Sequence, residues 1–569
     1  MAECIADVIF VAVVCLGVIP HCTACLRNHV FEATTTGFKH HDRNTSSDRT
    51  NIVLTPGKER GWSVSIVRPG LPIKENYVDP TKSLQRTKKE IVSVDIETNK
   101  PIAIVDKKFL SIAIDSNIIK ERWKTFDFQS ERLRTLSKAV SPCYLRVGGT
   151  EEDYLIFNQS VYLEGPKHKN FTNFTMTVSD WDGINQFARD VGWTLIFGLN
   201  VLLRHEDNTW DASNAKDLLD YTIKQKYKVD WELGNEPNSF NRTAGKPLDA
   251  SLLAEDFISF RQILDSKEEL RHSLLVGPDT TEPKPKTSRK LEVHAGKYMD
   301  KFLKSAGNVT NATTWHQYYV DGRTATLDNF TDYHILETLI PQIQEMREIV
   351  DQHRPGSDIW LGETSSAFGG GAPKLSNTYA AGFMWLDKLG ISAIHGLKVV
   401  IRQSFYNGHY ALIDEDLNPY PDYWLTVSYK RLVGFQVLAL HTAGGHVNLS
   451  HEKADPNVRV YAHCANRAVY PAGSVTMYAM SLHKDDTTEI KLSGELSGLS
   501  VDEYLLTSHG EKGLRSQSVN LNGEKLKMTQ NNTLPELNPR HLLPSDTINL
   551  PPYSFGFYVV SDAMATACL

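Results

Sequence analysis

Between Phe109 and Gln403 the chain alternates short apolar runs with helical stretches, and this rhythm restricts the fold more than any other feature of the sequence. The runs are Phe109–Asp115, Cys143–Val147, Thr194–Leu199, Val229–Leu233, Leu274–Gly277, Thr313–Tyr318, Ile359–Gly362 and Val399–Gln403. Helical patterns lie between them; Leu253, Phe257, Phe260 and Leu264, for example, share one face at helical spacing. Eight strands in a β/α alternation is the count of a TIM barrel, so the fold class is α/β with a (β/α)8 barrel over residues 109–434.

The flanks read differently. Residues 435–569 are all-β in texture: Val458–His463, Val475–Leu482 and Phe555–Val560 are short, rich in Val, Tyr and Phe, and separated by turns, which predicts a β-sandwich. Val92, Val94 and Ile96 alternate as in a strand, so residues 88–108 are expected to add to that sandwich from in front of the barrel. Residues 25–87 are polar with little periodicity and read as a loosely ordered extension. Residues 1–24 read as a signal peptide: Val8–Pro20 is too short to span a bilayer, and Ala24 suits cleavage, although Glu3 and Asp7 depart from the usual basic start. A secreted, extracellular or lysosomal protein with no membrane span is the resulting expectation.

Export makes other features coherent. Asn-x-Ser/Thr sequons occur at Asn44, Asn158, Asn170, Asn173, Asn241, Asn308, Asn311, Asn329, Asn448 and Asn531, a density that suits a glycosylating compartment. Past the signal remain Cys25, Cys143, Cys464 and Cys568, without a Cys-x-x-Cys pair or His/Cys cluster, so no metal and no cofactor are expected. Cys143, within an apolar strand, reads as a buried thiol. The net charge of −7 argues against a nucleic-acid partner, yet the chain carries 20 histidines, so a polyanion would be met more favourably at mildly acidic pH.

Two segments place an acidic residue just after an apolar strand: Trp231-Glu232-Leu233-Gly234-Asn235-Glu236-Pro237-Asn238 and Trp360-Leu361-Gly362-Glu363-Thr364-Ser365-Ser366. Strand C-terminal ends line the active site of a TIM barrel. Glycoside hydrolysis needs two carboxyl groups, one to protonate the leaving oxygen and, in a retaining enzyme, one to attack the anomeric carbon, about 5–5.5 Å apart. Like-charge repulsion at that distance is expected to keep one of them protonated. Asn235 suits a hydrogen bond to a sugar hydroxyl near the reacting carbon, and Pro237 fixes the turn after the acid.

These segments resemble the heparanase family, glycoside hydrolase family 79. The likeness extends through Leu145-Arg146-Val147-Gly148-Gly149-Thr150, Gly369-Gly370-Gly371-Ala372-Pro373, Arg402-Gln403 and Pro421-Asp422-Tyr423-Trp424-Leu425, from about residue 88 to the C-terminus. It implies a barrel with a β-sandwich, Glu236 as acid/base and Glu363 as nucleophile. It also implies a substrate-contact set of Asp115, Asn117, Asn235, His316, Tyr318, Arg323, Gly369, Gly370, Gln403 and Tyr410, chemically suited to a uronic acid. Lys284, Lys286, Arg289 and Lys290 align with a basic heparin-binding loop, and Lys167, His168 and Lys169 form a smaller cluster; charge runs are more often solvated faces. A Cys464–Cys568 disulfide is implied as well.

The implied activity is a retaining endo-β-glucuronidase acting on heparan sulfate, with heparan sulfate proteoglycans as partners and a monomeric chain. Glu282 and Lys284 stand where vertebrate heparanases carry Gln and Arg. The interval from Phe157 to Asp180 is short, resembling single-chain members and the leech-type hyaluronidases, which makes hyaluronan the rival substrate. A non-catalytic heparan-binding homologue would lack the nucleophile, and Glu363 is present.

Overall fold

The computed structural model describes residues 51–56, 62–67, 90–159, 171–284, 293–442, 445–446 and 455–569. The signal segment, Cys25, Lys167, His168, Lys169, Lys286, Arg289, Lys290 and the sequons at Asn44, Asn170 and Asn448 lie outside the described residues. Within the stretch read as a loosely ordered extension, Asn51–Pro56 pairs antiparallel with Trp62–Val67 as a hairpin. That hairpin belongs to a unit ending at Thr87, separate from the unit that begins at Lys88.

Eight parallel strands form the barrel: β1 (Leu110–Asp115), β2 (Cys143–Gly148), β3 (Trp193–Leu199), β4 (Val229–Leu233), β5 (Val276–Thr280), β6 (Ala312–Asp321), β7 (Ile359–Phe368) and β8 (Val399–Gln403). They pair in the order β4-β3-β2-β1-β8-β7-β6-β5. A parallel bridge between Trp231 and Leu275 closes β4 onto β5. The crossover helices bury their apolar stripes against this barrel. In the helix Ala250–Asp265 the Asp249 side chain caps the first turn, and Leu253, Phe257, Phe260 and Leu264 are fully buried. The helix Val178–Val191 opens with a Thr177/Asp180 capping box and ends at Gly192 in the left-handed region, where a side chain would be strained.

Three strands, β5, β6 and β7, differ markedly in extent from the sequence reading. β5 runs Val276–Thr280 rather than Leu274–Gly277, because Pro278 does not end it: the ring removes one ladder donor, and the next N–H, of Asp279, donates to Thr314 Oγ1 at 3.1 Å instead. β6 and β7 are each ten residues long and stay paired past the barrel mouth, from Thr313–Ile359 to Asp321–Phe368. The polar stretch Glu363–Ser366 hides the extension of β7 from its apolar run, whereas Tyr319 and Val320 continue the apolar run of β6 to Asp321.

Beside the barrel lie two further sheets. Glu90–Ile96 pairs parallel with Thr488–Ser493 and antiparallel with Leu440–Thr442 in a five-stranded sheet. A nine-stranded sheet includes Val433–Leu438, Val458–Ala465, Val475–Ser481, Val501–Ser508 and Ser554–Val560. Cys464 and Cys568 form a disulfide with Cα atoms 5.3 Å apart, tying the C-terminus to this sheet. Cys143 is buried as a free thiol, and burial pushes its pKa up to about 12. A buried ion pair locks sheet to barrel: Arg459 donates twice to Asp387 on the helix Ala381–Ile394, at 2.8 and 3.2 Å, and Tyr461 OH adds a third bond. Gly390 on that helix leaves room for the Tyr461 ring, which a Cβ would meet at 2.5 Å. Among the described residues no helix is long and apolar enough to cross a membrane.

Candidate active site

Past the C-terminal end of β4 the backbone turns sharply. Gly234 has φ 80° and Glu236 has φ 50°, left-handed values that a non-glycine residue holds only when its surroundings over-determine it. Here they do. Glu236 N–H donates to the Asp279 carbonyl at 3.0 Å, and Asn235 N–H donates to Asp153 Oδ2 at 3.1 Å. Pro237 then opens a single 3-10 turn. The Glu236 carboxylate is aimed at β6, with Oε1 3.2 Å from His316 Nδ1 and Oε2 3.9 Å from Arg242 Nη2.

Glu363 stands on β7, opposite His316 in the β6–β7 register. Its Oε1 accepts from Tyr318 OH at 2.6 Å and its Oε2 from Arg146 Nη1 at 2.7 Å. Burial, reinforced by the Glu363 charge, holds the Tyr318 phenol well above its ordinary pKa, so it remains a donor. His316 and Tyr318 are two residues apart on one strand and share a face, about 6.5 Å apart. One strand thus presents a partner to each carboxylate.

Arg146 anchors the floor. Fully buried on β2, it donates from Nε to Glu232 at 2.7 Å and from Nη2 to Asn235 Oδ1 at 3.1 Å, besides its bond to Glu363. Gly148 makes space for it, since a Cβ there would lie 2.7 Å from the guanidinium carbon. Sequence reasoning quoted Arg146 and Glu232 inside motifs without giving them a role, and missed Asp279 and Arg242. A single Arg inside Cys-Tyr-Leu-Arg-Val, and a single Glu inside Trp-Glu-Leu, was the signal available: an interior strand keeps a charge only when a partner waits for it.

The protonation pattern corrects one expectation. Repulsion between carboxylates does not hold a proton on Glu236 in the resting site. Burial pushes Glu236 up, but the His316 hydrogen bond and charge, with Arg242 and Lys284, outweigh it and set its pKa below the ordinary value. The proton resides on His316: burial opposes its charge, yet Glu363, Asp279 and Glu236 together raise its pKa to about 10. Asp115 is raised to about 7, first by desolvation and then by Glu151, with Glu363 adding to both.

The other sequence candidates fall into two groups. Asp115, at the end of β1, accepts from Gln403 Nε2 at 3.2 Å and from Asn117 N–H at 3.0 Å. Tyr410 stacks on Tyr318 with ring centroids 6.5 Å apart. Together with Asn235 these residues ring the two glutamates. Gly369 and Gly370, in the turn after β7, have φ 79° and 86°, and the Gly370 carbonyl accepts from His409 N–H at 2.7 Å. Arg323 stands apart: it is exposed, and its guanidinium is engaged by Asp321 at 2.6 and 2.8 Å. Lys284 pairs with Glu282 at 2.6 Å and lies 5.2 Å over the Phe368 ring. No cluster of His, Cys, Asp and Glu among the described residues has the makings of a metal site.

Known proteins place this arrangement in context. Residues 92–390 match the glycosyl hydrolase family 79 N-terminal domain. Heparanase of Bos taurus is 40% identical over 84% of this chain and 93% of its own length. Hyaluronoglucuronidase of Hirudo nipponia is 33% identical over 84% of this chain and 99% of its own. Among solved structures, a 4-O-α-L-rhamnosyl-β-D-glucuronidase from Fusarium oxysporum shares the fold with a TM-score of 0.59 at 15% identity, covering 82% of this chain and 99% of that one. A barrel with one glutamate just past β4 and another within β7, joined to likeness of this extent, makes the chain a glycoside hydrolase, and it belongs to family 79.

Proposed function

We propose that this chain is a secreted retaining endo-β-glucuronidase that hydrolyses glucuronidic linkages of heparan sulfate, with Glu236 as acid/base and Glu363 as nucleophile. The observation that carries the reading is the pair itself: two carboxylates from β4 and β7, held by His316 and Tyr318 of one strand. Glu363 accepts from Tyr318 and Arg146, two donors that hold and aim the attacking carboxylate. Attack on the anomeric carbon yields a glycosyl-enzyme ester while the Glu236–His316 pair gives its proton to the leaving oxygen. Water then displaces Glu363, returning a proton to the pair, and the anomeric configuration is retained.

The pocket around the pair suits a uronic acid. Asp115, Asn117, Asn235, Gln403 and Tyr410 offer polar groups for hydroxyls, and the Gly369–Gly370 turn has space beside it, since a Cβ at either residue meets nothing within 4 Å. The basic sequence cluster Lys284, Lys286, Arg289 and Lys290 suits a polyanionic chain. Action outside the cell or in lysosomes, on the chains of heparan sulfate proteoglycans, is the reading that the apolar N-terminal segment and the sequons support, and a monomer is proposed with it. Exposed Asn158, Asn241, Asn308, Asn311 and Asn531 suit glycans. Hyaluronan is the second reading, favoured by the likeness to the leech enzyme.

The test is direct. Glu236→Gln and Glu363→Gln should each reduce turnover of heparan sulfate by several orders of magnitude while polysaccharide binding persists, and NMR of the first product should show retention. Near-native turnover in either folded variant removes the assignment. Chain-length analysis of products from heparan sulfate and hyaluronan decides between the two substrates.

A further inference from the structure

Asp279 lies at a junction that neither the pairing of the two glutamates nor the substrate pocket accounts for. Its Oδ1 is 3.2 Å from His316 Nε2, on the far side of the ring from Glu236. Its backbone carbonyl accepts the Glu236 N–H at 3.0 Å. Its own φ is 51°, again left-handed, and Thr314 Oγ1 receives its N–H at 3.1 Å. The residue before the nucleophile must be glycine for this to fit: a Cβ on Gly362 would stand 2.4 Å from Asp279 Oδ1. One buried residue therefore touches the backbone of the acid/base, the imidazole beside it, and the strand that carries the nucleophile.

We propose that Asp279 is the positioning residue of the acid/base, its carboxylate and carbonyl fixing His316 and Glu236 in one geometry so that this pair carries a single proton into the glycosidic step. Both ring nitrogens of His316 meet a carboxylate, so the imidazolium is held in place and cannot turn away from Glu236. The proton leaves the pair for the leaving oxygen and comes back from water in the second half-reaction, so the cycle balances. Other charges facing His316 and Glu236 are Glu363 from β7, Glu232 from β4, Arg146 from β2, and Arg242 and Lys284 beside the acid. Among these, Asp279 alone bonds Nε2, the ring nitrogen on the far side from Glu236. Removing its charge weakens the hold on the proton, so the pair empties at lower pH.

The inference rests on Glu236 being the acid/base. Asp279→Asn, Gly362→Ala, Glu236→Gln and the parent chain are compared on a defined heparan sulfate oligosaccharide across pH 4–9, with thermal unfolding as the folding control. Asp279→Asn should lower kcat at least tenfold with KM within about threefold, and move the alkaline limb at least one pH unit towards acid. Gly362→Ala, which keeps the charge but displaces it, should lower kcat in the same way; it stands as the deciding variant if Asp279→Asn does not fold. A folded Asp279→Asn with parental kcat and limbs overturns the inference, and so does a uniform loss at every pH with both limbs unmoved. Glu236→Gln separates the two questions. Retained turnover there sinks the acid/base assignment, whereas an inactive Glu236→Gln beside an unaffected Asp279→Asn sinks only the role of Asp279.

Discussion

Replacing Arg146 by Gln probes the site and the fold together. The guanidinium is fully buried and bonds Glu232 at 2.7 Å, Glu363 at 2.7 Å and Asn235 at 3.1 Å, with Glu152 3.7 Å away. Removing one partner of a buried ion pair leaves an uncompensated charge and costs about 3–5 kcal/mol. Part of that cost is relieved when a carboxylate takes up a proton. Glu232, already raised to about 8 by burial despite the arginine, is the group placed to do so. We expect a loss of about 3 kcal/mol near neutral pH, growing as pH rises past 8, where Glu232 can ionise beside the arginine in the parent but not in the variant. Glu363 also loses one of the two donors that aim it, so kcat should fall. Urea unfolding at pH 7 and 9 and a measurement of kcat read these effects. A folded variant within about 1 kcal/mol of the parent at both pH values, with parental kcat, would refute the reasoning.

The remaining predictions concern pH, covalent structure and processing. Asp115, Asp153 and Glu232 have folded-state pKa values raised to about 7, 8 and 8 by burial, so the stability they supply is full below pH 4 and is lost as pH rises through 7–8. His316, raised to about 10, loses stability in the same direction above pH 6.5, whereas His463, lowered to about 4, and Lys388, also lowered, oppose it. The balance predicts a higher Tm at pH 5 than at pH 8 in a calorimetric series; the reverse order contradicts it. Replacing both Cys464 and Cys568 by Ser releases a loop spanning a sequence separation of 104 and should cost about 4–5 kcal/mol on the chain-entropy account, read by thermal unfolding. The chain should be active without internal cleavage, and activity gained only after a cut between Phe157 and Asp180 would overturn that expectation.

Much of this molecule is written locally. The β/α rhythm specifies a barrel because each apolar run must be covered and each helix buries one stripe, as Leu253, Phe257, Phe260 and Leu264 do. Glu236 and Glu363 are legible because a carboxylate at the end of a barrel strand has few purposes other than chemistry. What encloses them is not legible. Arg146, Glu232, Asp279 and His316 come from four strands, up to 170 residues apart in the chain, and their pairing depends on barrel closure through the Trp231–Leu275 bridge. The long β6 and β7 likewise follow from pairing with each other beyond the mouth, since β6 supplies the ladder along Glu363–Ser366, where β7 carries no apolar signal. Protonation lies furthest from the sequence. Two acids alone predict a proton on one of them; a buried imidazole between Glu236 and Asp279 takes it instead, because desolvation and three nearby carboxylates act on the ring only once the chain has folded.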